Sequence, residues 1–269
     1  MTLPDCKMLE NVEPMLIPSR PASSIQVRKL TLSDVVGSLR SGWDDFVAYP
    51  SHAVMLAIIY PIAGLSIARV LQGYSLVSLL FPLSAGFALL GPFAAIVFYD
   101  LSRRRERGDI LSTANVINII HSVSSGTVGL LGAMLAVLFL TWVATAQSIY
   151  NAFFGFAPVS SMPEFFEHVI STAGGHRFLA EWCAVGLMFA IVAFSISAVS
   201  FAALIDRRVS ATDAILTSFR VIARNPLTMA LWGLICAGLL VVAIVAIFLG
   251  LAAVMPILGH ATWHLYRKR

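Results

Sequence analysis

Apolar residues in this chain arrive in long blocks with almost no charge inside them. Four blocks stand out: "HAVMLAIIYPIAGLSIARVL" (52–71), "LVSLLFPLSAGFALLGPFAAIVFY" (76–99), "SGTVGLLGAMLAVLFLTWVATAQSI" (125–149) and "FLAEWCAVGLMFAIVAFSISAVSFAALI" (178–205). A helix of about 20 residues rises about 30 Å, the thickness of a bilayer's hydrocarbon core. A helix that is apolar all round belongs in lipid or a large core. Residues 227–266 contain no Asp, Glu, Lys or Arg, which gives about 60 Å of helix. That length reads as two spans with a turn near Gly250, in preference to one span and a re-entrant segment. Only "QGYS" separates the first two blocks, so they form a tight hairpin. The fold class is all-α: a polytopic membrane protein of about six transmembrane helices arranged as three hairpins.

Shorter segments show a different pattern. In "KLTLSDVVGSLRSGWDDFVAYP" (29–50), Leu32, Val35, Val36, Leu39, Trp43, Phe46 and Val47 fall on one side of a helix. The segment is too short and too polar to span, so it predicts a helix on the inner membrane surface with Trp43 near headgroup depth. "RVSATDAILTSFRVIARNP" (208–226) resembles it, with a weaker face of Ala211, Ala214, Ile215 and Ile222. Thr31 with Asp34, and Ser210 with Asp213, fit a helix-starting capping box. "GDILSTANVINIIHSVSS" (108–125) reads as a degenerate third copy capped by Asp109. Three units follow, about 29–102, 103–206 and 207–269, each a surface helix and a hairpin. Residues 1–28, polar and proline-rich with no apolar leader core, read as a flexible cytoplasmic tail.

Charge sets the orientation. Of 18 basic residues, only Arg69 and Arg177 fall on the side of "QGYS" and the 150–177 loop. All the others lie with the tail, "LSRRRERGD", the 206–226 stretch and "YRKR". By the positive-inside rule that side is cytoplasmic, with both termini inside. Arg103, Arg104, Arg105, Arg107, Arg207, Arg208, Arg267, Lys268 and Arg269 therefore read as topology and headgroup contacts. The net charge of +4 carries no nucleic-acid motif with it. Composition agrees with the class, at 58% hydrophobic and 12% charged with a mean hydropathy of +0.86. The three cysteines, Cys6, Cys183 and Cys236, show no paired spacing, which argues against a disulfide framework or a cysteine zinc site.

Candidate chemistry is sparse. The terminal "GHATWHLYRKR" places His260 and His264 four apart, so both can share a helix face and grip one metal. His52 and His121 begin the inner ends of other spans and could join them. Against this, no carboxylate stands between the pair, no opposed histidines lie mid-membrane, and an interfacial histidine is cheaply solvated. The interfacial reading is preferred and no cofactor is expected. Pro61, Pro82, Pro92 and Pro256 lie inside the apolar blocks and predict kinks. Gly126, Gly129 and Gly132 give a smooth face for a neighbouring helix or a second copy. In the outer loop "PEFFEHVI" predicts a short helix resting on Phe165 and Phe166. No nucleophile–base pattern or phosphate-cradling loop stands out, so an enzyme is not expected.

The early "LSDVVGSLRSGWDDF", the "YDLSRRRERGD" loop and the terminal "LGHATWHLYR" resemble an uncharacterised family of bacterial integral membrane proteins. The likeness runs over about residues 25–266. It implies a six-helix protein of the cytoplasmic membrane and supplies no ligand or catalytic residue. The favoured expectation is an accessory or organising component of membrane complexes or the envelope. Its partners would be lipids and either other membrane proteins or a second copy. The alternatives are a transporter or channel for a neutral or lipid-like solute, and a haem or metal protein using His260 and His264.

Overall fold

A computed structural model describes residues 27–48, 57–73, 82–83, 89, 91–93, 95–109, 126–155, 162–207, 209–246 and 248–269. Among these residues there are ten helices and no strand. They are α1 (Leu32–Ala48), α2 (Ile59–Gly73), α3 (Ile96–Arg107), α4 (Gly126–Phe154), α5 (Met162–Ser171), α6 (Ala173–Ser197), α7 (Ser200–Arg207), α8 (Ala211–Arg224), α9 (Pro226–Val245) and α10 (Leu251–Arg267).

Three stretches are long and apolar enough to cross a membrane: α4, the nearly continuous α6–α7 over Ala173–Arg207, and α9. Each exposes large apolar side chains, among them Val137 and Leu140, Leu187 and Ile191, and Leu234 and Val242. Water would make that exposure costly, whereas lipid makes it neutral. The third apolar block of the sequence thus becomes one helix, α4, and the fourth becomes the nearly continuous α6 and α7. The 227–266 stretch becomes two helices, α9 and α10, with a turn at 248–250 before α10. Gly250 permits the turn to close, since a Cβ there would stand 2.7 Å from Ala243 Cα. The first block is represented by α2, and most of the second, with the 108–125 copy, lies outside the described residues.

The packing uses small residues and aromatics. Trp142 of α4 is fully buried and donates its indole N–H to the Pro82 carbonyl at 2.9 Å. Its ring meets Trp182 and Phe189 of α6, with Gly186 providing the room. At the far end α5 lies over α6, where Tyr150, Phe154, Phe165 and Phe178 form an aromatic cluster. Phe165 turns into this cluster and only Phe166 is exposed, so one of the two predicted surface anchors is a core residue. Pro61 and Pro256 sit inside α2 and α10 and are buried, while Pro92 is half-buried.

The capping box at Thr31 forms, and Ser210 caps α8 with its side chain. Thr31 Oγ1 accepts the Asp34 N–H at 3.2 Å and the Thr31 N–H returns to Asp34 Oδ2 at 2.9 Å. Ser210 Oγ accepts the Asp213 N–H at 3.1 Å. One turn later Ser38 and Thr217 each donate to the carbonyl four residues back, at 2.7 Å. Val35, Ser38 and Gly42 of α1 are buried, as are Ala214, Thr217 and Val221 at the matching positions of α8. α1 packs along α10 and α8 packs against α7 and α6. The sequence pattern predicts α1's apolar stripe but misses its docked side. That side holds Val35 with the small or polar Ser38, Gly42 and Asp45, and of these four the apolar count includes only Val35.

Candidate functional site

The basic ends of α3, α7 and α10 meet one another, and α1 lies against α10. Leu101, Leu204 and Leu265, with Phe98, Phe201 and Trp263, are buried at this meeting point. Close approach is possible because Gly42 faces Ala261 and Gly259 faces Phe98, with no room for a side chain at either glycine.

Asp45 of α1 is the centre of the polar contacts. Its Oδ2 accepts from Ser102 Oγ and from His264 Nε2, the latter at 2.8 Å, and its Oδ1 pairs with Arg105. Ser102 Oγ also lies 2.8 Å from His260 Nδ1. The Ser102 hydroxyl hydrogen points to the carboxylate, which leaves its oxygen free to accept from His260 in the tautomer that carries the proton on Nδ1. Burial alone would raise the Asp45 pKa. The hydrogen bonds from His264 and Ser102, with the nearby histidine charge, outweigh it and hold the group at about 2 instead of 3.8.

A second tier surrounds this carboxylate. His264 Nδ1 stands 3.7 Å from Glu106, whose other oxygen meets Arg267 Nε at 3.2 Å. Arg267 also reaches Asp206 at 3.8 Å, and Tyr266 donates to Asp206 at 2.8 Å. Arg103 and Arg104 both pair with Asp100, and Arg103 further donates to the Ile205 carbonyl. Arg269 stacks on Tyr266 at 3.8 Å. At the edge, Arg28 bonds the Lys268 carbonyl, and Asn225 accepts the Leu30 N–H at 2.7 Å.

This arrangement changes the reading of several residues. Arg103, Arg104, Arg105, Arg207 and Arg267 each pair with a carboxylate of the chain, in addition to the topology and headgroup role that the sequence suggests for them. Arg107 is exposed, and Arg208 lies outside the described residues. His260 is buried and His264 nearly so, where solvated imidazoles are expected. His52 and His121 also lie outside the described residues, and among those described no group of three or more His, Cys, Asp or Glu is set to hold a metal. Asp45, Ser102, Glu106 and Asp206 are the members that the sequence does not announce. The available signal for Asp45 is its place on the same side of α1 as Val35, Ser38 and Gly42.

In this arrangement the Ser102 hydroxyl donates a hydrogen bond to the Asp45 carboxylate and lies beside His260 Nδ1, so carboxylate, hydroxyl and imidazole tie α1, α3 and α10 together.

No curated protein and no solved structure matches the chain. Residues 80–206 match a family model described as "Predicted integral membrane protein (DUF2189)". The matched stretch contains "YDLSRRRERGD", while "LSDVVGSLRSGWDDF" and "LGHATWHLYR" lie beyond it. Over that stretch, a little under half of the chain, the sequence is similar to an uncharacterised family of integral membrane proteins.

Proposed function

We propose that this is a non-catalytic multi-pass protein of the cytoplasmic membrane, with its basic helix ends and both termini in the cytoplasm. It acts as an accessory or organising component for other membrane complexes or for the envelope. One observation carries the reading: the side chains best suited to chemistry are consumed by one another. Asp45, Ser102, His260, His264, Arg105 and Glu106 join α1, α3 and α10 in one network. A rigid junction of helix ends surrounded by lipid-facing apolar helices suits a protein whose work is contact. Six spans in three hairpins remain part of this proposal, with α9 and α10 as the last pair.

The test is purification in a mild detergent, with companions quantified against an unrelated membrane protein carried through the same steps. A stoichiometric companion and a colourless, metal-free protein are expected. A companion-free protein that moves solute in proteoliposomes, with loss of transport on Pro256→Ala, would overturn the proposal in favour of a transporter. A haem absorption band or bound metal lost on His260→Ala would overturn it in favour of a metal or haem protein.

A further inference from the structure

Several of the clustered arginines pair with carboxylates of the chain, and α1 carries a further exposed cation, Arg40. Around its axis α1 has three sides. Val35, Ser38, Gly42 and Asp45 are buried against α10 and its neighbours. Leu32, Val36, Trp43 and Val47 are apolar and 63%, 66%, 54% and 53% exposed. Ser33, Arg40 and Asp44 are polar and exposed on the remaining side.

The apolar and polar sides run next to each other along the whole helix. A helix that descended into the bilayer would instead change from wet to apolar along its length. An exposed carboxylate such as Asp44 in hydrocarbon is costly, and so is a water-facing row of Leu, Val and Trp. Both costs vanish only if the axis lies along the boundary, with one side in lipid and the next in water. Arg40 follows Val36 by four residues and precedes Trp43 by three, at the seam between those two sides. Its aliphatic stem can lie on the apolar side while the guanidinium reaches up to phosphate.

We infer that α1 is a boundary helix clamped to the protein by its third side, and that Arg40 with Trp43 forms its contact with anionic phospholipid headgroups. Lipid is the occupant because α1 touches α9, a helix long and apolar enough to span a membrane, whose first turn exposes Leu227. The inference rests on the membrane placement in the proposed function and is independent of any organising role.

The test uses the full chain, with Cys6, Cys183 and Cys236 replaced by serine, in vesicles of phosphatidylcholine and phosphatidylglycerol. Spin labels go on Val36→Cys, Val47→Cys, Ser33→Cys and Asp44→Cys. Oxygen should reach the first two at equal shallow depth, and a water-soluble nickel complex should reach the other two. The axial rise from Val36 to Val47 is about 16 Å, so a descending helix would show a large depth difference, and that result would overturn the inference. Four labels shielded from both reagents would overturn it equally, in favour of a protein partner or a second copy. In the same vesicles Arg40→Gln should lower the preference for spin-labelled phosphatidylglycerol over phosphatidylcholine about fivefold. Arg105→Gln should leave that preference intact and lower thermal stability. The reverse pattern would return the headgroup role to the arginine cluster.

Discussion

Asp45 concentrates the energetics of the polar junction in a single carboxylate. Asp45→Asn keeps the shape but removes the charge that Arg105, Ser102 and His264 share, and hydrogen bonds to charged groups contribute about 1.5–3 kcal/mol. Thermal unfolding in detergent should show a loss of about 2 kcal/mol; an unchanged midpoint would mean the junction is not load-carrying. The pH dependence has a definite sign. The folded-state pKa is depressed to about 2 from 3.8, so the stabilisation is complete above that ordinary value. It falls away as pH drops from there through the folded value, and the wild-type advantage over Asp45→Asn should shrink only in that acid window. At this scale the sequence is poorly legible. His260 and His264 are conspicuous by their spacing, but their partners Ser102 and Asp45 stand 158 and 219 positions away. No local pattern connects Asp45 with Ser102, because that contact depends on how α1 and α3 meet α10.

The helices themselves were largely legible, for local reasons. The caps at Thr31 and Ser210 depend on residues three positions away, so the pattern alone locates both starts. The blocks at 125–149 and 178–205 become helices because no other structure satisfies the backbone in lipid. Pairing between helices was not legible. The "GTVGLLGAML" glycines drew attention as a packing face, yet among the described residues nothing stands within 4 Å of a Cβ at Gly126 or Gly129, while Gly132 is tight against Phe93. The close approach lies at Gly42, a glycine with no motif around it. A Cβ there would stand 2.6 Å from the Ala261 nitrogen and 2.8 Å from its Cα. Gly42→Ala should therefore cost about 1–3 kcal/mol by overpacking, and Gly129→Ala should be neutral or slightly stabilising through helix propensity. Parallel melting curves decide this, and equal behaviour of the two variants would contradict the α1–α10 packing.

For the molecule as a whole, the long-range contacts among α3, α7 and α10 place three basic helix ends together, although "LSRRR", "LIDRR" and "YRKR" are far apart in the chain. Charge counting along the sequence leads to the same grouping by a separate route. It misses that most of these cations are neutralised internally, since the count weighs lysine and arginine and passes over Asp45, Asp100, Glu106 and Asp206. The account stands or falls on whether those ends share one side of a bilayer. Cysteine labelling in intact cells with a membrane-impermeant maleimide, on the cysteine-free background, tests it most directly at Arg107→Cys, Lys268→Cys and Glu167→Cys. The account predicts labelling of Glu167→Cys in intact cells, and of Arg107→Cys and Lys268→Cys only after the membrane is opened. Labelling of either basic-end position from outside, or of those two from opposite sides, would contradict it.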